Sequence, residues 1–193
     1  MEVILTVPHA KCNFKLQGHY CDLKALEFAE SLTDVLQKKN IKVILLVADI
    51  NRSICDINRI QCRSESFRPK LTNILNEKKN NKELWILDIH SFPNGIKSFE
   101  QYPLVFLELN YIVHNTSHHS MDIKLPSKIF KLYSKLINKG IAANVLAGTN
   151  DNDILFETRN MGYQNSSLLE INESITCSEM NKIVNIIVDE INQ

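Results

Sequence analysis

The chain reads as an α/β protein, a three-layer α/β/α sandwich around a mostly parallel or mixed central sheet. Three observations predict this. Several short segments are apolar throughout, as strands covered on both faces are. Longer stretches between them carry apolar residues at helical spacing. The two kinds follow one another along the chain, the order that lays helices over both faces of a sheet.

The elements can be justified in turn. Glu2–Pro8 (EVILTVP) is a buried strand. Cys21–Lys39 is amphipathic, with Leu23, Leu26, Ala29, Leu32, Val35 and Leu36 on one stripe. Ile41–Ala48 (IKVILLVA) is a second strand, Phe67–Lys79 a helix and Leu84–Ile89 a third strand. Pro103–Leu109 (PLVFLEL) is the fourth. A helix then starts near Pro126 and stops at Gly140, with proline in front and glycine behind. After a short apolar stretch, Ile141–Leu146, come a helix at Asp153–Asn160 and a strand at Ser167–Ile171. The last helix opens on Thr176-x-x-Glu179, the spacing of a capping box, before MNKIVNIIVDEI.

Composition narrows the function. With 193 residues, 44% of them apolar and 23% charged, residues 1–193 are expected to form a single soluble domain. Lys+Arg 22 against Asp+Glu 22 leaves no net charge, so neither nucleic acid nor anionic membrane is an expected partner. The apolar run at the N-terminus is short and follows an acid, unlike a signal peptide or membrane span. Five cysteines with no CxxC point to free thiols in a reducing, cytoplasmic setting.

Polar residues gather where strands end, which is where α/β proteins place their sites. His9 follows the first strand, and NRSICDINR, with Arg52, Asp56, Asn58 and Arg59, follows the second. Asp88 and His90 end the third, and Glu170 lies within the late strand LLEIN. Singly, each has an ordinary reading. A strand-end histidine is commonly a hydrogen-bonded loop or core residue, Asp88 can orient a turn, and Glu170 can face solvent. Together they offer what zinc takes, neutral imidazole and carboxylate oxygen. Asp22, at the entrance to the first helix, is the carboxylate candidate; His19 competes with it, and spacing does not separate them.

Five stretches carry a resemblance: VPHAKC, CDLKALEFA, NRSICDINR, LDIHSF and LLEIN, in that order from Val7 to Asn172. Their order is similar to that in the N-formylglutamate amidohydrolase-like proteins, of the zinc carboxypeptidase-like fold, with aspartoacylase and succinylglutamate desuccinylase as distant relatives. The resemblance implies a zinc ion held by His9, Asp22 and His90. It implies Arg52, Asn58 and Arg59 as grips for a substrate carboxylate, and Glu170 as the general base and acid. Asp88 and Asp56 would stand behind these, Asp56 anchoring the turn that presents Asn58 and Arg59. The implied activity is zinc-dependent hydrolysis of an amide or peptide-like C–N bond beside a free carboxylate, in an N-acyl amino acid or a peptide terminus. The chain departs from the family after His9, where small residues give way to Ala10, Lys11 and Cys12. Phe99–Ser127 matches no motif and reads either as a solvated loop or as a substrate-covering region, with His114, His118 and His119 inside it. Two other functions compete: a cysteine hydrolase using Cys12 or Cys55, and a carboxylate-binding module without turnover.

Overall fold

The computed structural model describes residues 1–11, 21–62, 65–93, 100–109, 125–148 and 153–193. The apolar segments become six strands: β1 (Glu2–Val7), β2 (Lys42–Val47), β3 (Trp85–Phe92), β4 (Leu104–Leu109), β5 (Ala143–Gly148) and β6 (Ser166–Asn172). They form one sheet in the order β2-β1-β3-β6-β4-β5. β1 is parallel to β2 and β3, and β3 to β6, whereas β4 runs antiparallel to β6 and carries β5 with it. The sheet is therefore mixed.

Five α-helices stand among the described residues: α1 (Ala25–Lys38), α2 (Phe67–Glu77), α3 (Ser127–Asn138), α4 (Asp153–Asn160) and α5 (Cys177–Ile191). Alternation along each strand decides which helices it meets. Val3 and Leu5 of β1, Trp85 and Leu87 of β3 and Leu169 of β6 join one core with Phe28, Leu132 and Ile187, from α1, α3 and α5. Ile4 and Ile86 look the other way, onto Leu71 and Leu75 of α2 and Ile154 of α4. Each fully buried Leu, Ile or Phe in these layers contributes about 1.5–3 kcal/mol. Because β2 and β3 flank β1 on opposite sides, the chain reverses direction across the sheet at the carboxyl end of β1. That switch point is where the crevice of such a fold opens.

Several boundaries differ from the sequence reading. The first helix begins at Ala25, leaving Cys21–Lys24 as a non-helical lead-in, and Leu23 is 71% exposed, not part of the core stripe. β3 runs on to Phe92, so His90 sits inside a strand, not after one. The apolar stretch Ile141–Leu146 becomes strand β5. Gly140, at φ +74, closes the end of α3 as its position suggests. Thr176 and Glu179 form a complete capping box on α5.

The free-thiol expectation fails among the described residues: Cys55 and Cys62 are disulfide-bonded to each other, seven positions apart, and Cys21 is also in a disulfide. Cys55 therefore has no thiolate to serve as a nucleophile. Cys177 is a free, exposed thiol. Among the described residues no helix is long and apolar enough to cross a membrane. Cys12, His19, Gly95, His114, His118 and His119 lie outside the described residues.

Candidate functional site

The sheet brings its polar residues to one place by register. On β3, Asp88 and His90 share a face with Ile86, the face covered by α2 and α4. Glu170 on β6 is the register partner of His90. Thr6 on β1 is the partner of Asp88, and its hydroxyl donates to Asp88 Oδ1 at 2.6 Å. His9 follows two residues after β1 ends. Asp22 comes from the lead-in to α1, and Asp56, Asn58 and Arg59 come from the turn after β2.

His9, Asp22, Asp88 and His90 are each no more than 4% exposed. Asp22 Oδ2 stands 3.2 Å from His9 Nδ1 and 2.9 Å from His90 Nδ1. The far nitrogen of each ring has its own carboxylate. His9 Nε2 is 2.6 Å from Asp56 Oδ1, and His90 Nε2 is 3.1 Å from Asp88 Oδ2. The rings meet edge to face, with centroids 4.8 Å apart. Arg52 Nη1 donates to the second oxygen of Asp22 at 2.9 Å and its Nε faces Asp56 at 3.6 Å.

The charges perturb one another. Burial alone would raise the Asp22 pKa, but hydrogen bonds from His9 and His90 hold it well below the usual carboxylate range. Asp56 is likewise lowered, burial being outweighed by His9, Arg52 and Arg59. For His90 burial works downward, yet Asp88 and Asp22 together lift it well above 6.5. Glu170 moves the other way: burial, with the charge of Asp22 adding to it, pushes its carboxyl up to about 7.

The donor set suits a metal ion. One ligand atom from each of His9, Asp22 and His90 can be chosen so that all lie within 4.8 Å of one another. Two atoms bound tetrahedrally to zinc at about 2.0–2.1 Å stand ~3.3 Å apart, close to the 3.2 and 2.9 Å separations found here. A metal-bound histidine ordinarily gives its other ring nitrogen to a carboxylate. Asp56 and Asp88 fill that place for His9 and His90 respectively.

The three residues expected to grip substrate differ in placement. Arg59 has the most exposed side chain of the three, 39%, with its Nε 3.5 Å from Asp56. Arg52 is engaged with Asp22 and Asp56. Asn58 is buried, its Oδ1 accepting from the Ile154 amide at 3.1 Å and its Nδ2 lying 3.3 Å from His90 Nε2. Asn58 thus ties the turn to α4 and to β3. Sequence reasoning passed over Thr6, although a hydroxyl in the middle of EVILTV was a visible anomaly. It also gave Asp56 only half its contacts. Asp56 does anchor the turn, accepting from the Asn58 amide at 3.1 Å, but the same oxygen faces His9.

No protein-family model matches the chain, and no curated protein matches it in sequence. Solved structures match its fold. A gene product from Agrobacterium tumefaciens superposes with a TM-score of 0.67 at 14% identity, over 98% of this chain and 87% of that one. N-formylglutamate amidohydrolase from Ralstonia eutropha gives 0.58 at 13% identity, over 98% and 90%. A mutant pyrrolidone carboxyl peptidase from Pyrococcus furiosus gives 0.56 at 13% identity, over 100% and 98%. At such identities the likeness is one of fold.

Proposed function

We propose that the chain is a zinc-dependent hydrolase of an amide or peptide-like C–N bond next to a free carboxylate, in an N-acyl amino acid or a peptide terminus. One observation carries the reading: two imidazole Nδ1 atoms converge on one oxygen of Asp22, while each ring's Nε2 is held by a separate aspartate. Similarity of fold to an N-formylglutamate amidohydrolase and a pyrrolidone carboxyl peptidase supports the reaction class. The zinc carboxypeptidase-like fold assignment belongs to the same proposal.

His9, Asp22 and His90 would hold the ion. Bound there, zinc lowers the pKa of water to about 7 and polarises the scissile carbonyl. The chain's own residues do the remaining work. Glu170, outside the ligand set and beside His90, accepts a proton from the attacking water at its carboxylate and returns it to the departing nitrogen. A carboxyl lifted to about 7 is poised for both transfers at neutral pH. Arg59 receives the substrate carboxylate in its planar fork, with Arg52 behind it. Asn58 keeps the turn that presents Arg59 in place.

Elemental analysis of the purified chain tests the assignment. His9→Ala and His90→Ala should each lose about one zinc equivalent. Glu170→Gln should keep the metal and lose turnover of N-acyl amino acids and short peptides. Stoichiometric zinc in folded His90→Ala shows the metal assignment to be wrong. Arg59→Ala should raise KM for carboxylate-bearing substrates with a smaller effect on kcat.

A further inference from the structure

Of the proposed ligands, His90 lies within β3 and His9 just beyond β1, whereas Asp22 lies on the irregular lead-in to α1. The first turn of α1 does not secure it through a side chain, since Lys24 at the N-cap makes no capping hydrogen bond. The Asp22 carbonyl accepts from the Ala25 amide at 3.2 Å. The next two amides are held from across the fold. The Leu23 amide donates to Glu173 Oε1 at 2.8 Å, and the Lys24 amide donates to Ser91 Oγ at 3.1 Å. The Ser91 hydroxyl in turn donates to Glu173 Oε1 at 2.9 Å. Only one hydrogen is available on that hydroxyl, so its direction follows: it gives to the carboxylate and takes from the Lys24 amide.

Both supports stand on rigid posts. Ser91 follows His90 within β3, so adjacent residues of one strand point to opposite faces. His90 takes the Asp22 carboxylate, and Ser91 takes the backbone two residues further on. Glu173 directly follows β6, and its amide donates to the Phe92 carbonyl at 3.0 Å. Asn172 fixes the same turn, accepting from the Ser174 amide at 2.9 Å and donating to the Glu100 carbonyl at 3.2 Å.

We infer that Ser91 and Glu173 are positioning residues for Asp22, strapping the backbone after it so that its carboxylate is already aimed between His9 and His90. The inference rests on the metal reading given above. Without the strap, residues 22–24 must be ordered when the ion binds, and that ordering weakens affinity.

Zinc alone is the probe, titrated into the full-length protein against a chromophoric chelator at fixed pH, well below the unfolding temperature. Ser91→Ala and Glu173→Ala, each checked by circular dichroism, should raise the zinc Kd roughly tenfold or more, as loss of a ligand's outer support does. Glu173→Gln keeps an acceptor oxygen and should restore affinity to within a few-fold of the parent. The Leu23 and Lys24 amides should exchange faster with solvent in metal-free Glu173→Ala. Parent-like affinity in both alanine variants overturns the inference, as does a Glu173→Gln variant as weak as Glu173→Ala. If the parent binds zinc and Asp22→Asn does not, such a result removes the strap and leaves the metal site intact. A parent protein that takes up no zinc overturns both readings together.

Discussion

Zinc affinity should climb through neutral pH, and His90 sets the slope. Its ring lies between two aspartates, Nδ1 2.9 Å from Asp22 and Nε2 3.1 Å from Asp88. Burial alone would lower its pKa, but those carboxylates raise it well above 6.5. That shift favours the doubly protonated ring, and a metal bound as proposed would displace its Nδ1 proton. Asp22, held in its ionised form, has none to release. One displaced proton makes affinity rise about tenfold, or about 1.4 kcal/mol, per pH unit below the His90 pKa. Between pH 6.5 and 7.5 an ordinary histidine would supply only about a twofold change, and His90, raised above that ordinary value, should supply more, towards the roughly tenfold limit of one proton. The same raised pKa stabilises the metal-free fold fully below about 6.5, and that stabilisation is lost as pH rises through the folded value. The assay is a chelator competition at a series of pH values, corrected for the chelator's own protonation. Asp88→Asn should flatten the slope by removing the largest charge that raises His90. An affinity constant within twofold across this interval refutes the reasoning.

Three stability predictions follow from other parts of the fold. Arg159 donates to both oxygens of Glu108, at 3.0 and 2.8 Å, and Glu108 is fully buried. Arg159→Met should cost about 3–5 kcal/mol in urea unfolding, with Glu108→Leu restoring most of it, because the variant takes a cationic partner from a buried carboxylate. Thr176→Ala should cost about 1 kcal/mol by removing the cap of α5. The Thr176 backbone amide first, and its hydroxyl second, lower the Glu179 pKa, so their contribution is present above pH 4.5 and fades as pH falls through the lowered value. Thr176→Ala keeps the amide, so the urea midpoint difference between parent and variant should shrink at low pH only by the hydroxyl's share. Replacing Cys55 and Cys62 together by serine, which opens a loop of sequence separation seven, should cost about 2–3 kcal/mol; equal urea midpoints for parent and variant under oxidising conditions would exclude that effect.

What the sequence disclosed and what it hid have physical reasons. Strands buried on both faces are apolar throughout, so β1 and the first part of β3 stood out. The far end of β3 did not, because His90 and Ser91 are polar and look like the start of a loop. They belong to the strand because their partners come from elsewhere: Asp22 for His90, and Glu173 for Ser91. Leu23 fitted the helical stripe by spacing, but the chain turns to place Asp22 before α1 starts, and Leu23 is left outside. The Cys55–Cys62 pairing depends on how the turn after β2 folds back through a 3₁₀ turn at Ile60–Cys62, which spacing alone does not encode. Asp56 was legible as a turn anchor from Asp-x-Asn, and illegible as a partner of His9, 47 positions away.

The reason for so much polarity in a core lies in its charges. Asp22, Asp56 and Asp88 face His90, Arg52 and Arg59. His90 and the two guanidinium groups, with the His9 ring beside Asp22 and Asp56, give these buried carboxylates the partners that make buried ionic groups tolerable. Glu170 is the remaining acid, and burial keeps it near 7, half neutral at physiological pH, where a fourth negative charge would lack a partner. Exchanging the His90 proton for a dication adds one positive charge to this group. That charge favours ionised Glu170, so metal uptake would bring the carboxylate into the form a general base requires. On the proposed reading, the charge of the ion and the ionisation of Glu170 are thus coupled through one cluster, and the polar residues in these strands are explained by their mutual pairing, not by any one contact.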